Sequence, residues 1–211
     1  MKARVLLVDD HRIVTEGLRA LLEPEFQIVG TVDDGRAAVE ASGDLKPDVV
    51  VLDISMPSLN GLEAARQIRK LSPKVKIVFL TMHNDITYVR KAFEAGASAY
   101  VTKHSASLDL RLAIQEALSG RTYITPAVVK EGNHVLLRRS RMSKNASNRL
   151  TPRQREVLQL LAEGRSAKEA ASILHLSPRT VEFHKYRLMQ QLGFETTAQL
   201  LQFAIKHKII A

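Results

Sequence analysis

The first 120 residues repeat one order of elements five times: an apolar run typical of a strand, a turn and a helix. Strands are predicted at residues 4–8, 27–32, 49–53, 75–80 and 98–102, and helices at 13–22, 36–41, 62–71, 85–95 and 109–119. Strands that alternate with helices in this way favour right-handed βαβ crossovers, in which helices cover both faces of a parallel sheet. The predicted fold class is a doubly wound α/β domain with a (βα)5 arrangement.

The third predicted strand ends in a carboxylate. The apolar run at residues 49–52 is followed by Asp53, and Pro57 prevents the strand from continuing. Because ligands bind beyond the carboxyl ends of the strands in open α/β sheets, Asp53 is expected where such a sheet carries out its chemistry. Considered alone, a turn or capping role for this aspartate is an equally good interpretation.

The other strand ends strengthen the functional interpretation. The first strand is followed by Asp9 and Asp10, the fourth ends near Thr81, and Lys103 follows the fifth. Two carboxylates about 4 Å apart repel by about 4 kcal/mol at an effective dielectric constant of about 20, so such a cluster needs a cation. Oxygen ligands favour Mg²⁺. The set predicts a phosphoryl-accepting site, with Asp53 as nucleophile and with Thr81 and Lys103 holding the phosphoryl oxygens.

The rest of the chain differs in charge and in pattern. Residues 1–120 carry 15 basic and 16 acidic side chains, and residues 121–211 carry the other 16 and 6, so the net charges are −1 and +10. This asymmetry indicates a regulatory or catalytic part joined to a part that binds a polyanion, although a merely solubilising basic surface is an alternative. Residues 121–149 break the strand–helix order and are predicted to link two domains, with 121–137 partly ordered and 138–149 a flexible basic linker.

From residue 150 to 211 the pattern is purely helical and predicts a small all-α domain. Thr151, Ser166 and Ser177 are good N-caps, and a proline follows two of them at the first helical position. Ser166 and Glu169 have the spacing of a capping box. A short helix, a tight turn and a third helix at 179–192 with basic and polar exposed residues are typical of a helix-turn-helix.

Residues 3–120 resemble the receiver domain of two-component response regulators. Besides the strand-end residues, the resemblance rests on Met56-Pro57, Gly61, Gly96-Ala97 and Tyr100-Val101-Thr102-Lys103. It implies a flavodoxin-like sheet of order 2-1-3-4-5 and phosphorylation of Asp53 by a sensor histidine kinase. It also implies that Thr81 and Tyr100 act as a switch pair.

The same resemblance implies a set of Mg²⁺ ligands. These are Asp10, Asp53 and the backbone carbonyl of Ser55, with Asp9 acting through water. Met82 departs from the smaller residue of many receivers, and we expect it to alter access to the acyl phosphate and its lifetime.

Residues 150–205 resemble the LuxR-type helix-turn-helix domain. The matching stretches are 150–158, Glu163-Gly164, Lys168-Glu169, Leu176-Ser177, 180–184 and Leu192-Gly193. Ala167 and Ala170 replace an Asn and an Ile that are common in this family, which indicates slightly different helix packing. A receiver joined to this domain is the architecture of the NarL/FixJ group of transcription factors.

The resemblance makes helix 179–192 the one that enters the major groove of double-stranded DNA. Its apolar residues are predicted to be core: Val181, Leu188 and Leu192. Glu182 is a candidate to accept a hydrogen bond from cytosine and Phe183 to pack on a thymine methyl, with a solvated surface role as the alternative for each. Tyr186 is a further exposed position, and the candidate phosphate contacts are Arg179, Thr180, Lys185 and Arg187.

The expected function is a phosphorylation-dependent, DNA-binding transcriptional regulator that assists only its own phosphorylation and dephosphorylation. We expect a sensor histidine kinase, DNA and a second copy of the chain as partners, with RNA polymerase as a further candidate. In the last helix, predicted at 197–207, an apolar set is either a dimer face or internal core: Leu200, Leu201, Ala204 and Ile205.

Two other functions remain open from the sequence. A Mg²⁺-dependent phosphatase or phosphotransferase with an aspartyl nucleophile is one, but Ser55 stands where such enzymes have a second carboxylate. An interaction module whose receiver is no longer phosphorylated is the other. The chain has no cysteine and no apolar run of about 20 residues, so we expect a cytoplasmic protein without disulfides or membrane contact.

Overall fold

The computed structural model describes residues 1–129, 150–207 and 209, which belong to two compact units. The N-terminal unit contains a parallel sheet of six strands: β1 (Arg4–Val8), β2 (Gln27–Val32), β3 (Val49–Leu52), β4 (Lys76–Thr81), β5 (Ala99–Thr102) and β6 (Tyr123–Ile124). Their order is β2-β1-β3-β4-β5-β6. The predicted doubly wound α/β class and the order 2-1-3-4-5 are confirmed, and one strand is added.

Five helices connect the strands of this sheet: α1 (Arg12–Leu22), α2 (Gly35–Leu45), α3 (Gly61–Leu71), α4 (Ile86–Glu94) and α5 (Ala106–Leu118). The side chains of Asp34, Asn60 and Asp85 cap α2, α3 and α4 by accepting hydrogen bonds from backbone amides of the first turn. Helix α2 is longer than the predicted 36–41. The apolar pattern does not extend over the whole helix. Its polar Ser42 is nevertheless accommodated, because the buried hydroxyl donates a hydrogen bond to the Ala38 carbonyl at 2.7 Å.

Strands β1 and β3 are neighbours in the buried interior of the sheet. All four residues of β3 are buried, as are the last four of β1. On one face of the sheet, Leu18 and Leu22 of α1 and Leu110 and Ile114 of α5 belong to one apolar cluster with these strands. This packing gives the carboxyl ends of β1 and β3, where the predicted site lies, a rigid support.

The sixth strand lies in the segment that the sequence predicts to be only partly ordered. Tyr123 and Ile124 pair with Ala99 and Tyr100 of β5, and the Thr125 amide donates to the Tyr100 carbonyl at 3.0 Å. Ordered structure therefore continues past residue 120. The flexible linker predicted at 138–149 lies outside the described residues, so the boundary between the two domains stays a prediction.

The C-terminal unit contains the helices α6 (Pro152–Ala162), α7 (Ala167–Leu174), α8 (Pro178–Leu192) and α9 (Thr197–Lys206). The three predicted N-caps are present. Thr151 and Ser166 each form a capping box, and the Ser177 hydroxyl accepts from the Thr180 amide at 3.1 Å. The turn between α7 and α8 places His175 in the left-handed region at φ 53°. Local polar chemistry thus fixes the ends of the helix-turn-helix.

The sequence left open whether the apolar residues of the last helix form a dimer face or internal core, and the C-terminal core answers this for two of them. Leu200 and Ala204 are fully buried in a cluster with Leu158 and Leu188, which gives them an internal role. Ile205 is 62% exposed and faces away from this core. In the described part of the chain, no helix has both the length and the apolar character needed to span a membrane.

Candidate functional site

Lys103 lies at the centre of an acidic pocket at the carboxyl edge of the sheet. Its Nζ is 2.7 Å from Asp53 Oδ2 and 2.7 Å from Asp9 Oδ2. Both aspartates are only 3% exposed. One ammonium between two buried carboxylates compensates one of the two negative charges, so the pocket keeps a demand for a further cation.

Asp53 is held on its other side by the backbone that follows β3. Its Oδ1 accepts from the Ile54 amide at 2.6 Å and the Ser55 amide at 3.3 Å. The turn also brings Gly61 so close that a Cβ there would lie 1.9 Å from the Asp53 carbonyl oxygen. The glycine of the sequence motif is therefore required by a close approach of two backbone segments.

Charge and burial act in opposite directions on these groups. Burial raises the pKa of Asp53, and the neighbouring Asp9 raises it further, while the hydrogen bond and charge of Lys103 lower it. Burial alone would lower the pKa of Lys103, but its hydrogen bonds and attraction to Asp53 and Asp9 outweigh this and raise the pKa above the ordinary lysine value. Lys103 consequently remains an ammonium group at neutral pH.

A second group of atoms extends the pocket towards α1. Ligand atoms of Asp9, Asp10, His11 and Asp53 all lie within 4.8 Å of one another. Asp10 Oδ1 is buried and, within the described part of the chain, has no hydrogen-bond partner, although His11 Nδ1 lies 2.9 Å away. Converging carboxylate oxygens, one of them without a hydrogen bond, fit the ligand preference of Mg²⁺. Sequence reasoning missed His11, although it directly follows the two acids.

The predicted switch residues lie beside this pocket. Thr81 is fully buried at the end of β4, and its Oγ1 accepts from the His83 amide at 3.3 Å. Tyr100 is also fully buried, and its hydroxyl donates to the His83 carbonyl at 2.8 Å. Burial raises the pKa of Tyr100, so its hydroxyl stays protonated and remains a donor. Both hydroxyls thus contact His83, which the sequence analysis did not single out.

The structure also locates two residues beside the pocket that the sequence had named. The Ser55 side chain forms a hydrogen bond of 2.8 Å with His83 Nε2. Met82 is 56% exposed, so most of its side chain contacts solvent. The effect of Met82 on the acyl phosphate remains a prediction.

Helix α8 carries all seven candidate DNA contacts. Phe183 and Tyr186 are 56% and 59% exposed, so both aromatic side chains are accessible to a partner. The Arg187 guanidinium lies 5.6 Å from the centre of the Phe183 ring. Lys185 Nζ forms an ion pair with Glu182 Oε2 at 2.6 Å. Arg179 is exposed and Thr180 is half-buried at the start of the helix.

The opposite side of α8 is core, as predicted for two of its three apolar residues. Val181 and Leu188 are fully buried in two different apolar clusters, whereas Leu192 is half-buried and packs against the cluster that contains Leu188. His184 is also half-buried. Burial lowers its pKa, and the charges of Arg153 and Arg187 lower it further. This imidazole is therefore neutral near pH 7.

Comparisons with known proteins agree with both parts of the structure. The family model described as response regulator receiver domain matches residues 5–115, and the model for bacterial regulatory proteins of the luxR family matches residues 148–204. The transcriptional regulatory protein MctR of Rhizobium johnstonii is 34% identical over 100% of this chain and 96% of its own length.

Solved structures give the same assignment. A LuxR-family two-component response regulator from an Aurantimonas species is 40% identical, with a TM-score of 0.62 over 65% of this chain and 99% of that one. The response regulator RcsB in complex with DNA is 29% identical, with a TM-score of 0.59 over 96% and 98% of the two chains. These matches support a transcriptional regulator and not the phosphatase alternative. The chain belongs to the two-component response regulators that join a receiver domain to a LuxR-type DNA-binding domain.

Proposed function

We propose that Asp53 is the phosphoacceptor of this response regulator and that its phosphorylation switches DNA binding. The observation that carries the proposal is the position of Asp53, buried at the end of β3 and held between the Lys103 ammonium and the backbone amides of residues 54 and 55. This arrangement fixes the carboxylate as a nucleophile and provides a cation for the incoming phosphoryl group.

In the proposed reaction, an Asp53 carboxylate oxygen attacks the phosphorus of the donor. The bond between phosphorus and the donor's leaving atom breaks, and the leaving group keeps that electron pair. Lys103 turns from the two carboxylates to the new phosphoryl oxygens, and the Thr81 hydroxyl donates to one of them. The protein assists only this transfer and the later hydrolysis of its own acyl phosphate.

Asp10, Asp53 and the Ser55 carbonyl are the proposed direct ligands of Mg²⁺, with Asp9 acting through water. The fit rests on the converging carboxylates and on the buried Asp10 Oδ1 without a hydrogen bond among the described residues. When bound, Mg²⁺ would neutralise the charge that develops on the phosphoryl oxygens.

We propose that Thr81 and Tyr100 transmit the phosphorylation of Asp53 to the rest of the protein. Movement of the Thr81 hydroxyl towards the phosphoryl group would disturb its contact with the His83 amide, and the Tyr100 hydroxyl is bonded to the carbonyl of the same residue. Phosphorylation would thus change the segment between β4 and α4. We propose a sensor histidine kinase as donor, homodimerisation as output, and RNA polymerase as a further partner.

The acceptor is tested by incubating the protein with acetyl phosphate and Mg²⁺ and mapping the label by mass spectrometry. Label is expected on Asp53 alone. Asp53→Asn should remain unlabelled, whereas Asp44→Asn, which changes an exposed aspartate of α2, should label as the wild type does. Full labelling of Asp53→Asn would contradict the proposal.

We propose that the exposed face of α8 contacts both the phosphates and the bases of DNA. Arg179, Thr180, Lys185 and Arg187 would contact phosphates, while Glu182, Phe183 and Tyr186 would reach base edges. Each neutralised phosphate contributes a slope of about −0.9 in log K against log salt. Lys185→Ala is expected to weaken binding to all sequences and to reduce the slope by about one unit, whereas Lys206→Ala, at the end of α9, should leave it unchanged.

Sequence preference separates base contacts from phosphate contacts. Selection from a random DNA library is expected to give altered preferences for Glu182→Ala and Phe183→Ala, since a good base contact contributes about 1–3 kcal/mol of discrimination. Lys185→Ala should keep the wild-type preference. Altered preference in Lys185→Ala alone would mean that the two groups of residues have been assigned the wrong way round.

A further inference from the structure

Gln190, in the last turn of α8, is bonded to the side chain of Tyr186 one turn earlier. Its Nε2 donates to the Tyr186 hydroxyl oxygen at 3.0 Å. Both side chains are exposed, and the helix continues past them to Leu192. Residues four apart are neighbours on a helix surface, so this bond needs no distortion of the backbone. Gln190 itself is not one of the proposed DNA contacts.

The bond decides the direction in which the tyrosine hydroxyl can act. A phenol oxygen carries one proton and can also accept a hydrogen bond. Because the amide of Gln190 occupies the accepting side of this oxygen, the hydroxyl proton has to point elsewhere. Among the described residues, the Tyr186 hydroxyl has no other partner. Its proton is therefore available to an acceptor outside the chain.

We propose that Gln190 is a positioning residue that makes Tyr186 a hydrogen-bond donor to DNA, so that Tyr186 selects base edges that present an acceptor. In the major groove the acceptors are N7 and O6 of guanine, N7 of adenine and O4 of thymine, whereas the amino groups of cytosine and adenine are donors. Gln190 thus determines sequence preference without contacting a base. This inference rests on the proposed role of α8 in reading DNA.

The other exposed aromatic ring of α8 also has a neighbour four residues later. The Arg187 guanidinium lies 5.6 Å from the centre of the Phe183 ring. This contact restricts the orientation of the ring but sets no hydrogen-bond direction, because a phenylalanine side chain has no polar group. At Tyr186 the neighbour fixes both. Ordering the two rings before DNA binds lowers the entropy that binding has to cost.

Substitutions at position 190 test the direction of the bond, because they can impose it. Lysine has only donors, so Gln190→Lys keeps the direction of the wild type. A carboxylate has only acceptors, so Gln190→Glu takes the tyrosine proton and leaves an oxygen lone pair for DNA. Both variants also change the charge of the helix. Gln191→Lys and Gln191→Glu are the matched controls for charge, because the Gln191 side chain accepts from Gln154 of α6 at 3.1 Å.

The sequence preference of each full-length variant is measured by selection from a random double-stranded DNA library, after treatment of the protein with acetyl phosphate and Mg²⁺. Tyr186→Phe and Gln190→Ala are expected to lose about 2- to 10-fold of discrimination at one and the same base pair, the range of one neutral hydrogen bond. Gln190→Lys should keep the wild-type preference there, and Gln190→Glu should select a different base pair. The Gln191 variants should change the affinity for all sequences alike.

Wild-type preference in Gln190→Glu, or altered preference in Gln190→Lys, would overturn the inference, because the direction of the bond would then not decide what Tyr186 reads. Gln190→Ala acting at another base pair than Tyr186→Phe would also overturn it, since Gln190 would then contact DNA itself. So would unchanged preference in Tyr186→Phe or in Gln190→Ala. In each case, altered preference in Glu182→Ala and Phe183→Ala would preserve the proposed role of α8. Unchanged preference in all these variants would overturn that role as well.

Discussion

Replacing Gly61 with alanine should displace the phosphoacceptor itself. A Cβ at this position would lie 1.9 Å from the carbonyl oxygen of Asp53, 2.9 Å from its carbonyl carbon and 3.1 Å from Ile54 Cα. All three are backbone atoms, and real Cβ contacts essentially never fall below 3.0 Å. The Gly61 amide also donates to the Ile54 carbonyl at 2.9 Å, so the two segments cannot separate without losing that bond.

The size of the effect of Gly61→Ala follows from the distance by which the two backbone segments must move apart. The two segments must separate by about 1 Å, and an overpacked site of this kind costs about 1–3 kcal/mol of unfolding free energy. Misplacement of a reacting group by about 1 Å can slow its reaction by about 100-fold. Gly61→Ala is therefore expected to lower stability in urea and to slow labelling of Asp53 by acetyl phosphate by one to two orders of magnitude.

Gly43→Ala provides the control within the same domain. Gly43 lies inside α2, and a Cβ there would meet nothing within 4 Å. Because glycine is costly inside a helix, this variant should gain about 0.5–1 kcal/mol and keep the wild-type labelling rate. Wild-type stability and labelling in Gly61→Ala would refute the reasoning, since the backbone would then have absorbed the clash without moving Asp53.

Three further predictions concern titratable groups. Lys103→Met leaves Asp9 and Asp53 without their cation, so urea unfolding should reveal a loss of about 3–5 kcal/mol without metal and a smaller loss with Mg²⁺. Asp10→Ala should weaken Mg²⁺ binding in calorimetric titration and slow phosphorylation. The pKa of His184 is lowered by folding, so the neutral form favours the folded state: stability should be complete above the unfolded value of about 6.5 and decrease as pH falls below it. Thermal melts of His184→Gln at pH 7.5 and 5 should show a smaller loss than the wild type, and an equal loss would contradict this assignment.

The sheet and its acidic edge were predictable because the order and direction of the strands determine which residues meet there. Once β1, β3, β4 and β5 are consecutive parallel strands of one sheet, Asp9, Asp53 and Lys103 must meet at its carboxyl edge, whatever the details of packing. The helix starts at Thr151 and Ser166 were predictable for a different reason. Their capping bonds join residues i and i+3, so both partners of each bond lie within four residues of sequence.

The sixth strand could not be predicted in this way. Tyr123 and Ile124 form only two ladder positions, which is too short for a period of two to appear. Their conformation depends on the free edge of β5, where Ala99 and Tyr100 offer partners. Such a strand has no local signal, because the information that specifies it lies more than 20 residues away.

The histidines of the pocket were missed for a related reason. A single histidine near a strand end has no distinguishing sequence pattern. The side chain of His83 is bonded to that of Ser55, which lies 28 residues earlier in the chain, so the contact has no local sequence signal. His11 differs, because it directly follows Asp9 and Asp10. Its nitrogen lies 3.2 Å and 2.9 Å from their carboxylate oxygens, so attention to immediate neighbours would have placed it in the cluster.

The ion pair on α8 changes how the DNA-binding residues should be separated. A base contact for Glu182 and a phosphate contact for Lys185 were predicted as independent roles, yet the charged atoms of the two side chains are 2.6 Å apart. A partly exposed pair of this kind contributes at most about 1 kcal/mol to stability, but it neutralises a carboxylate on the surface that is proposed to bind DNA. Lys185→Ala therefore removes a cation and releases an anion together. Its salt slope reports the lost phosphate contact alone only in a Glu182→Gln background, where no carboxylate is released.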